Sequence, residues 1–205
     1  MPWRRLGAAS CTIVALILGG RTTAVYAADS PTAVVQQTTD AVVAILAEKN
    51  LSTPEKRHRI EEIVDAHFDF ETLSKLVLAR NWKELTPIQQ KAFVEEFKRH
   101  LSMTYGKNVE TYNNEKAVVI GDRAEAHDDW TVKTKVVRPS AEDILVDYRL
   151  RKEDAGWRVI DVIIEGVSLV ANFRSQFQEI ITRDGAVKLI DLLREKNAKG
   201  ESLKS

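Results

Sequence analysis

The hydrophobic period of this chain changes twice, from helical to alternating after Tyr112-Asn113-Asn114 and back to helical after Gly166, and this order restricts the fold more than any other feature. Before the first change, Val34, Val35, Thr38, Val42, Ile45 and Leu46 recur at helical spacing within Pro31–Lys49. Ser52-Thr53-Pro54-Glu55 then supplies a cap, an early proline and a possible capping box for a helix through Ile60, Ile63 and Val64. Asp69 can cap a short helix carrying Leu73, Leu76, Val77 and Leu78. Thr86-Pro87 opens another, on which Phe93, Phe97, Leu101 and Tyr105 stack four residues apart along one face. Between the two changes, Trp130, Val132, Thr134 and Val136 alternate with polar residues, as do Ile144, Val146, Tyr148 and Leu150, and Arg138-Pro139-Ser140 through Glu142 turns one strand into the next. Trp157–Ile164 is apolar on both faces except at Arg158 and Asp161, which predicts a strand covered on both sides, and a weaker strand around Ala117–Ile120 would complete a four-stranded meander. After Gly166 come a helix capped by Ser168, bearing Phe173 and Phe177, and a last one with Val187, Leu189, Ile190 and Leu193. Helices, then a meander, then helices predict an α+β domain with its helices against one face of an antiparallel sheet.

The N-terminus reads as a secretory leader. Arg4-Arg5 precede an apolar run from Leu6 to Gly20, and Val25-Tyr26-Ala27 offers small residues at a cleavage site after Ala27. The run is shorter than the roughly 20 residues that a spanning helix needs. Cys11 lies inside it, where a lipidated cysteine would close it, so residues 1–27 read as a cleaved signal peptide and not as a lipid anchor. Cleavage removes the sole cysteine and three arginines, leaving no internal disulfide and three more acids than bases. That balance gives no footprint for nucleic acid. The expected organisation is one domain over residues 28–198 and a disordered polar tail over 199–205.

The common catalytic constellations are missing. His58, His67, His100 and His127 fall in different elements without the short paired spacings of zinc sites, and there is no nucleophile elbow, Walker loop or dinucleotide fingerprint. No catalytic residue, metal site or cofactor follows from the sequence. Asp161 stands out because it sits among Val159, Val162 and Ile163, where an unpaired carboxylate would be costly. It needs either structural partners, such as Arg149, a neighbouring lysine or backbone donors, or a role as a buried general base. Ser168 is either an ordinary N-cap or an anion-binding helix start.

Three segments, Phe68–Trp82, Thr86–Phe97 and Trp157–Phe177 with its Glu165-Gly-Val-Ser-Leu run and Arg174-x-Gln176-Phe177, resemble the MlaC family of periplasmic phospholipid-binding, or toluene-tolerance, proteins. One departure is Ala79, where the family carries glycine before Arg-x-Trp. The resemblance implies a cone of the nuclear-transport-factor-like kind, in which helices and a curved sheet enclose an apolar cavity. It implies a monomeric periplasmic carrier that shuttles phospholipid between an inner-membrane ABC transporter complex, with its lipid-binding membrane-anchored subunit, and an outer-membrane lipoprotein–porin complex, maintaining outer-membrane lipid asymmetry. Phospholipid would be cargo, with no cofactor and no enzymatic step. Each buried methylene contributes about 0.8 kcal/mol, so moving a chain of roughly 15 methylenes through water costs on the order of 12 kcal/mol unless an apolar wall replaces the bilayer. On this reading the wall comprises Phe93, Phe97, Leu101, Val132, Val146, Tyr148, Val162, Ile164, Val167, Leu169 and Phe173, with Trp82 and Tyr105 at the mouth.

Two other readings stand beside it. Cone-shaped domains also house isomerases and dehydratases, which would need Asp161 or Asp147 beside Tyr148 as an acid/base pair. An envelope adaptor would fill its interior with side chains and dock through its helices.

Overall fold

The computed structural model describes residues 30–203, so the leader with its cleavage site and the last two residues lie outside the described residues. In chain order the elements are α1 (Pro31–Ala47), α2 (Thr53–His67), α3 (Phe70–Leu78), a 3₁₀ segment (Ala79–Glu84), α4 (Pro87–Tyr105), a second 3₁₀ segment (Gly106–Thr111), β1 (Lys116–Ala124), a turn at Ala126–Asp128, β2 (Asp129–Val137), β3 (Ile144–Glu153), β4 (Gly156–Ile164), β5 (Val167–Ser168), α5 (Leu169–Asp184) and α6 (Ala186–Lys199). The α+β class and the antiparallel meander agree with the sequence reading. The sheet has five strands in the order β1-β2-β3-β4-β5 instead of four, because the chain makes a tight turn at Glu165-Gly166 and pairs Val167–Ser168 back onto Ile163–Ile164. Both turn residues have positive φ, 49° and 79°, as a two-residue hairpin of this hand requires.

Local chemistry fixes the helix starts. Ser52 and Thr86 each accept the N–H three residues on while Glu55 and Gln89 return to the cap, and both helices carry proline in the first turn. Asp69 accepts from Thr72 N at 2.9 Å to start α3, and its own N–H donates to Val159 O at 3.0 Å, joining the α2–α3 elbow to β4.

The apolar residues divide into two cores. One is all-helical: Leu73, Val77 and Leu78 of α3, Phe93 and Phe97 of α4, Val170, Phe173, Phe177 and Ile181 of α5, and Leu189, Ile190 and Leu193 of α6. The other lies on the concave face of the sheet, where Val132, Val146, Leu150, Val159 and Val162 meet Val35 of α1. Strand β4 borders both, which explains its burial from Val159 through Val162.

Asp161, 2% exposed, is accounted for by α5. Its carboxylate accepts from Ser168 Oγ at 2.6 Å and from Val170 N at 3.1 Å, while Ser168 Oγ accepts from Ala171 N at 3.0 Å. The buried charge thus caps a helix N-terminus, satisfying donors that would otherwise be orphaned and sitting at the positive end of the helix dipole.

Beyond the sheet and α5, the described chain runs on to Leu203. Helix α6 continues to Lys199, Gly200 closes it in the left-handed region, and Leu203 packs on the helical core with its N–H 3.4 Å from His100 Nε2.

Ala79 ends α3 at φ 49°, ψ −123°, a region that a β-carbon disfavours. The turn holds because its surroundings dictate it: Asn81 Nδ2 donates to Leu78 O and to Gln178 Oε1, and the Arg174 guanidinium donates to Leu76 O. Ala79→Gly should therefore raise stability by about 1 kcal/mol, the relief of strain exceeding the added freedom of the unfolded chain. Urea denaturation checks this through a higher midpoint at unchanged slope.

Candidate functional site

The concave face of the sheet is not fully filled. Between it and the first two helices lies a cavity of about 300 Å³. Helix α1 contributes Val35, Thr38, Thr39, Val42, Val43 and Leu46, which share one helical face. Helix α2 adds Ile60 and Val64, one turn apart, and Phe68, Val136, Tyr148 and Val159 complete the floor with Tyr112 and residues 115–117. The threonines are apolar in effect, because Thr38 and Thr39 donate their hydroxyls to Val34 O and Val35 O, at 2.7 and 2.8 Å, and leave their methyls as wall. Glu115 and Lys116 are the charged residues of the lining.

Helix α1 is anchored to the sheet at its start, where Ser30 caps it and Thr32 Oγ1 donates to Asp122 Oδ2 at 2.5 Å. Helix α2 is held differently. It contains no buried residue. Its ties to α4 are polar: Lys98 Nζ to Asp65 at 2.5 Å, and a hydrogen bond from Ser102 Oγ to Glu61. Lys56 Nζ donates to Leu46 O at 2.6 Å and closes the α1–α2 hairpin.

Tyr148 lies on β3 between Val132 and Val162. Burial pushes its phenol up to about 12, and it makes no hydrogen bond with any described residue. Neither Asp147 nor Asp161 shares its face: Tyr148 is opposite Val162 and Arg149 is opposite Asp161, so the adjacent residues point to opposite sides of the sheet. The acid/base pair needed by an isomerase or dehydratase is not assembled here.

The sequence-derived wall is redistributed. Phe93, Phe97 and Phe173 pack with Phe177 in the helical core, ring centroids 5.1 to 5.9 Å apart, with Leu101, Tyr105, Trp82 and Leu169 against them. This core is filled, Phe93 being 0% exposed, so these aromatic residues stabilise the fold and do not line the cavity. Trp82 lies under Lys75, whose Nζ is 5.8 Å from its ring centroid, and burial raises the Tyr105 phenol; neither borders the cavity. Val132, Val146 and Val162 belong to the sheet core with Ile164 packed on it, and Val167 is 57% exposed. Tyr148 alone of the expected set lies on the cavity wall among the described residues. This packing has a physical cause, since rings at four-residue spacing on two facing helices interdigitate with each other before they can leave a void. The lining of α1 and α2 was legible as amphipathic periodicity, and no local signal distinguishes a stripe facing a cavity from one facing a core.

The MlaC protein family model matches residues 36–195. The chain belongs to the MlaC family. Toluene tolerance protein ttg2D of Pseudomonas putida, a relative in that family, is 30% identical over 164 residues, 78% of this chain and 76% of its own. The phospholipid-binding protein of Ralstonia solanacearum, solved at 1.53 Å in complex with a phospholipid, superposes with a TM-score of 0.73 at 30% identity, covering 82% of this chain and 97% of that one. The family match runs from within α1 to within α6 and includes every lining residue of the cavity except Val35. No helix among the described residues is long and apolar enough to cross a membrane.

The two cores separate stability from lining. Phe97→Ala should cost about 3–5 kcal/mol of unfolding free energy by opening a void in the helical core, yet at a temperature where the variant is folded the cavity should bind an apolar fluorescent probe with wild-type affinity. Chemical denaturation and probe titration measure the two effects separately.

Proposed function

We propose that this MlaC-family chain is a periplasmic carrier that holds the acyl chains of a phospholipid in the cavity between α1, α2 and the concave sheet. It would exchange that lipid with an inner-membrane ABC transporter complex, through its membrane-anchored lipid-binding subunit, and with an outer-membrane lipoprotein–porin complex, and so help maintain outer-membrane lipid asymmetry. It acts by binding, with no covalent step. The observation that carries this reading is that the apolar side chains of α1, α2 and the sheet surround vacant space instead of filling it. An empty apolar cavity is a standing cost to a fold, and a fatty chain removes that cost while gaining shelter from water. The phospholipid complex of the Ralstonia protein supports the same cargo.

A volume near 300 Å³ is at the small end of ligand sites, so loading a two-chain lipid requires the walls to part. Helix α2 is the wall that parts at least cost. Its apolar contacts face the void and its remaining ties are polar and partly exposed, so water replaces them as it swings away. Helix α1, fixed to β1 through Thr32 and Asp122, stays with the sheet.

Native mass spectrometry of protein purified from the periplasm should show bound phospholipid. Val43→Trp, which fills the cavity from α1, should abolish that mass while leaving the thermal midpoint within a few degrees of wild type. Repeated recovery of lipid-free wild type would reject the cargo, and a lipid-loaded Val43→Trp would reject the site. Because the cysteine of the natural sequence lies in the leader, a Glu61→Cys/Ser102→Cys pair joined by a short bismaleimide tests the opening. Lipid exchange with vesicles should slow more than tenfold on cross-linking, and an unchanged rate would show that α2 does not open.

A further inference from the structure

Two phenols of the cavity lining, Tyr112 and Tyr148, carry hydroxyls that the described walls do not engage. Among the described lining residues, Thr38 and Thr39 spend their hydroxyls on carbonyls of their own helix, and Glu115 and Lys116 begin or immediately precede the edge strand β1. Tyr112 lies in the loop before β1, whereas Tyr148 belongs to the sheet. It sits in mid-strand, flanked on its face by Val132 and Val162, with Val159 and Phe68 also in the lining. Its hydroxyl has no hydrogen-bond partner among the described residues, and the residue is half-buried in the cavity wall. The hydroxyl is not sealed among the described side chains, and a phenylalanine would fill the same place without presenting a donor to the cavity.

We infer that Tyr148 is a hydrogen-bond donor to the cargo, its hydroxyl bonding an ester carbonyl of the acyl chain held against the sheet, and so setting how deep the lipid sits. The inference rests on the carrier reading. Three features narrow the ligand atom. The phenol stays protonated at any physiological pH, with its ionisation near 12, so it offers a proton to an acceptor. The nearest wall residues are apolar, so the acceptor belongs to the ligand, and acyl lipids bear such oxygens at the ester junction and in the headgroup. No cation lines this part of the wall, Lys116 being at the start of β1 opposite Val137, so a neutral carbonyl suits the position better than a carboxylate or phosphate, whose charge would be left unpaired in apolar surroundings. Tyr148 is thus a positioning and specificity residue, selecting chains joined through esters over chains of equal length joined through ethers.

The test compares delipidated full-length mature protein with its Tyr148→Phe variant in equilibrium partition of labelled lipid from vesicles, using diacyl phosphatidylglycerol, its dialkyl ether counterpart and free palmitate as separate probes. Wild type should favour the diacyl lipid about tenfold over the dialkyl lipid, the value expected for one hydrogen bond lost from a shielded site. Tyr148→Phe should erase that preference by weakening diacyl retention about tenfold while leaving dialkyl retention unchanged. The change removes a single oxygen, and an unaltered thermal midpoint confirms that the fold is intact. Equal retention of diacyl and dialkyl lipid by wild type, or a preference that survives in Tyr148→Phe, overturns the assignment while leaving the carrier reading in place. A Tyr148-dependent preference for palmitate over both phospholipids overturns the ester in favour of a carboxyl group. Retention of no lipid by wild type overturns the carrier reading and this one together.

Discussion

Strand β4 is shared by two cores, and the rest of the architecture depends on that. Val159 and Val162 close the concave side of the sheet, Asp69 bonds to the β4 backbone, and Asp161 caps the helix that carries Phe173 and Phe177 into the other core. A carboxylate that accepts both a helix N–H and the hydroxyl of the cap residue is fully engaged, so helix α5 leaves the sheet at a fixed point. With the sheet and the helical bundle locked together along one strand, the aromatic cluster of α4 and α5 supplies cohesion that the concave side need not provide. This is the arrangement that a hollow protein requires. If one core had to serve both purposes, the side chains that held the fold together would also be those that crowded out a ligand.

Much of the fold was legible because it follows from local chemistry. The capping boxes at Ser52 and Thr86, the alternation along Trp130–Val136 and Ile144–Leu150, and the doubly covered Trp157–Ile164 all reappear as helix starts and strands. What the sequence left open was non-local. The two-residue β5 depends on a turn at Glu165-Gly166 and on the unfilled edge of β4, and Leu203 is held by a surface made from residues a hundred positions away. The site was less legible than the fold. Large aromatic residues drew the cavity toward α4 and α5, but their size and mutual attraction make them efficient at filling space. The residues that do surround the void, Val35, Val42, Val43, Leu46, Ile60 and Val64, are mid-sized aliphatics whose periodicity is that of any amphipathic helix. Whether such a stripe faces a ligand or a partner helix is decided by the distance to the opposite wall, which no single sequence encodes locally.

Ala79 gives the opposite lesson. A departure from the family's glycine, visible in the sequence, falls where the backbone takes a positive φ, and the surrounding hydrogen bonds from Asn81 and Arg174 hold that turn in spite of the β-carbon. The helix end is therefore specified by its neighbours and not by the residue that occupies it. The same contrast separates α1 from α2: one is tied to the sheet at its start, the other rests on polar contacts and contains no buried residue. Anchorage is distributed unevenly around the cavity, with its lowest share in α2.

The back-bonded threonines of α1 set a limit on discrimination. Once Thr38 and Thr39 have returned their hydroxyls to their own helix, the surface they show is a row of methyls continuous with Val35, Val42 and Leu46. Such a lining grips through dispersion, which has no preferred direction along a hydrocarbon. A tail could slide against it by one carbon with little change in energy. On the carrier reading, the α1 wall therefore carries no graduations of its own, and tails of different length and saturation would be interchangeable against it.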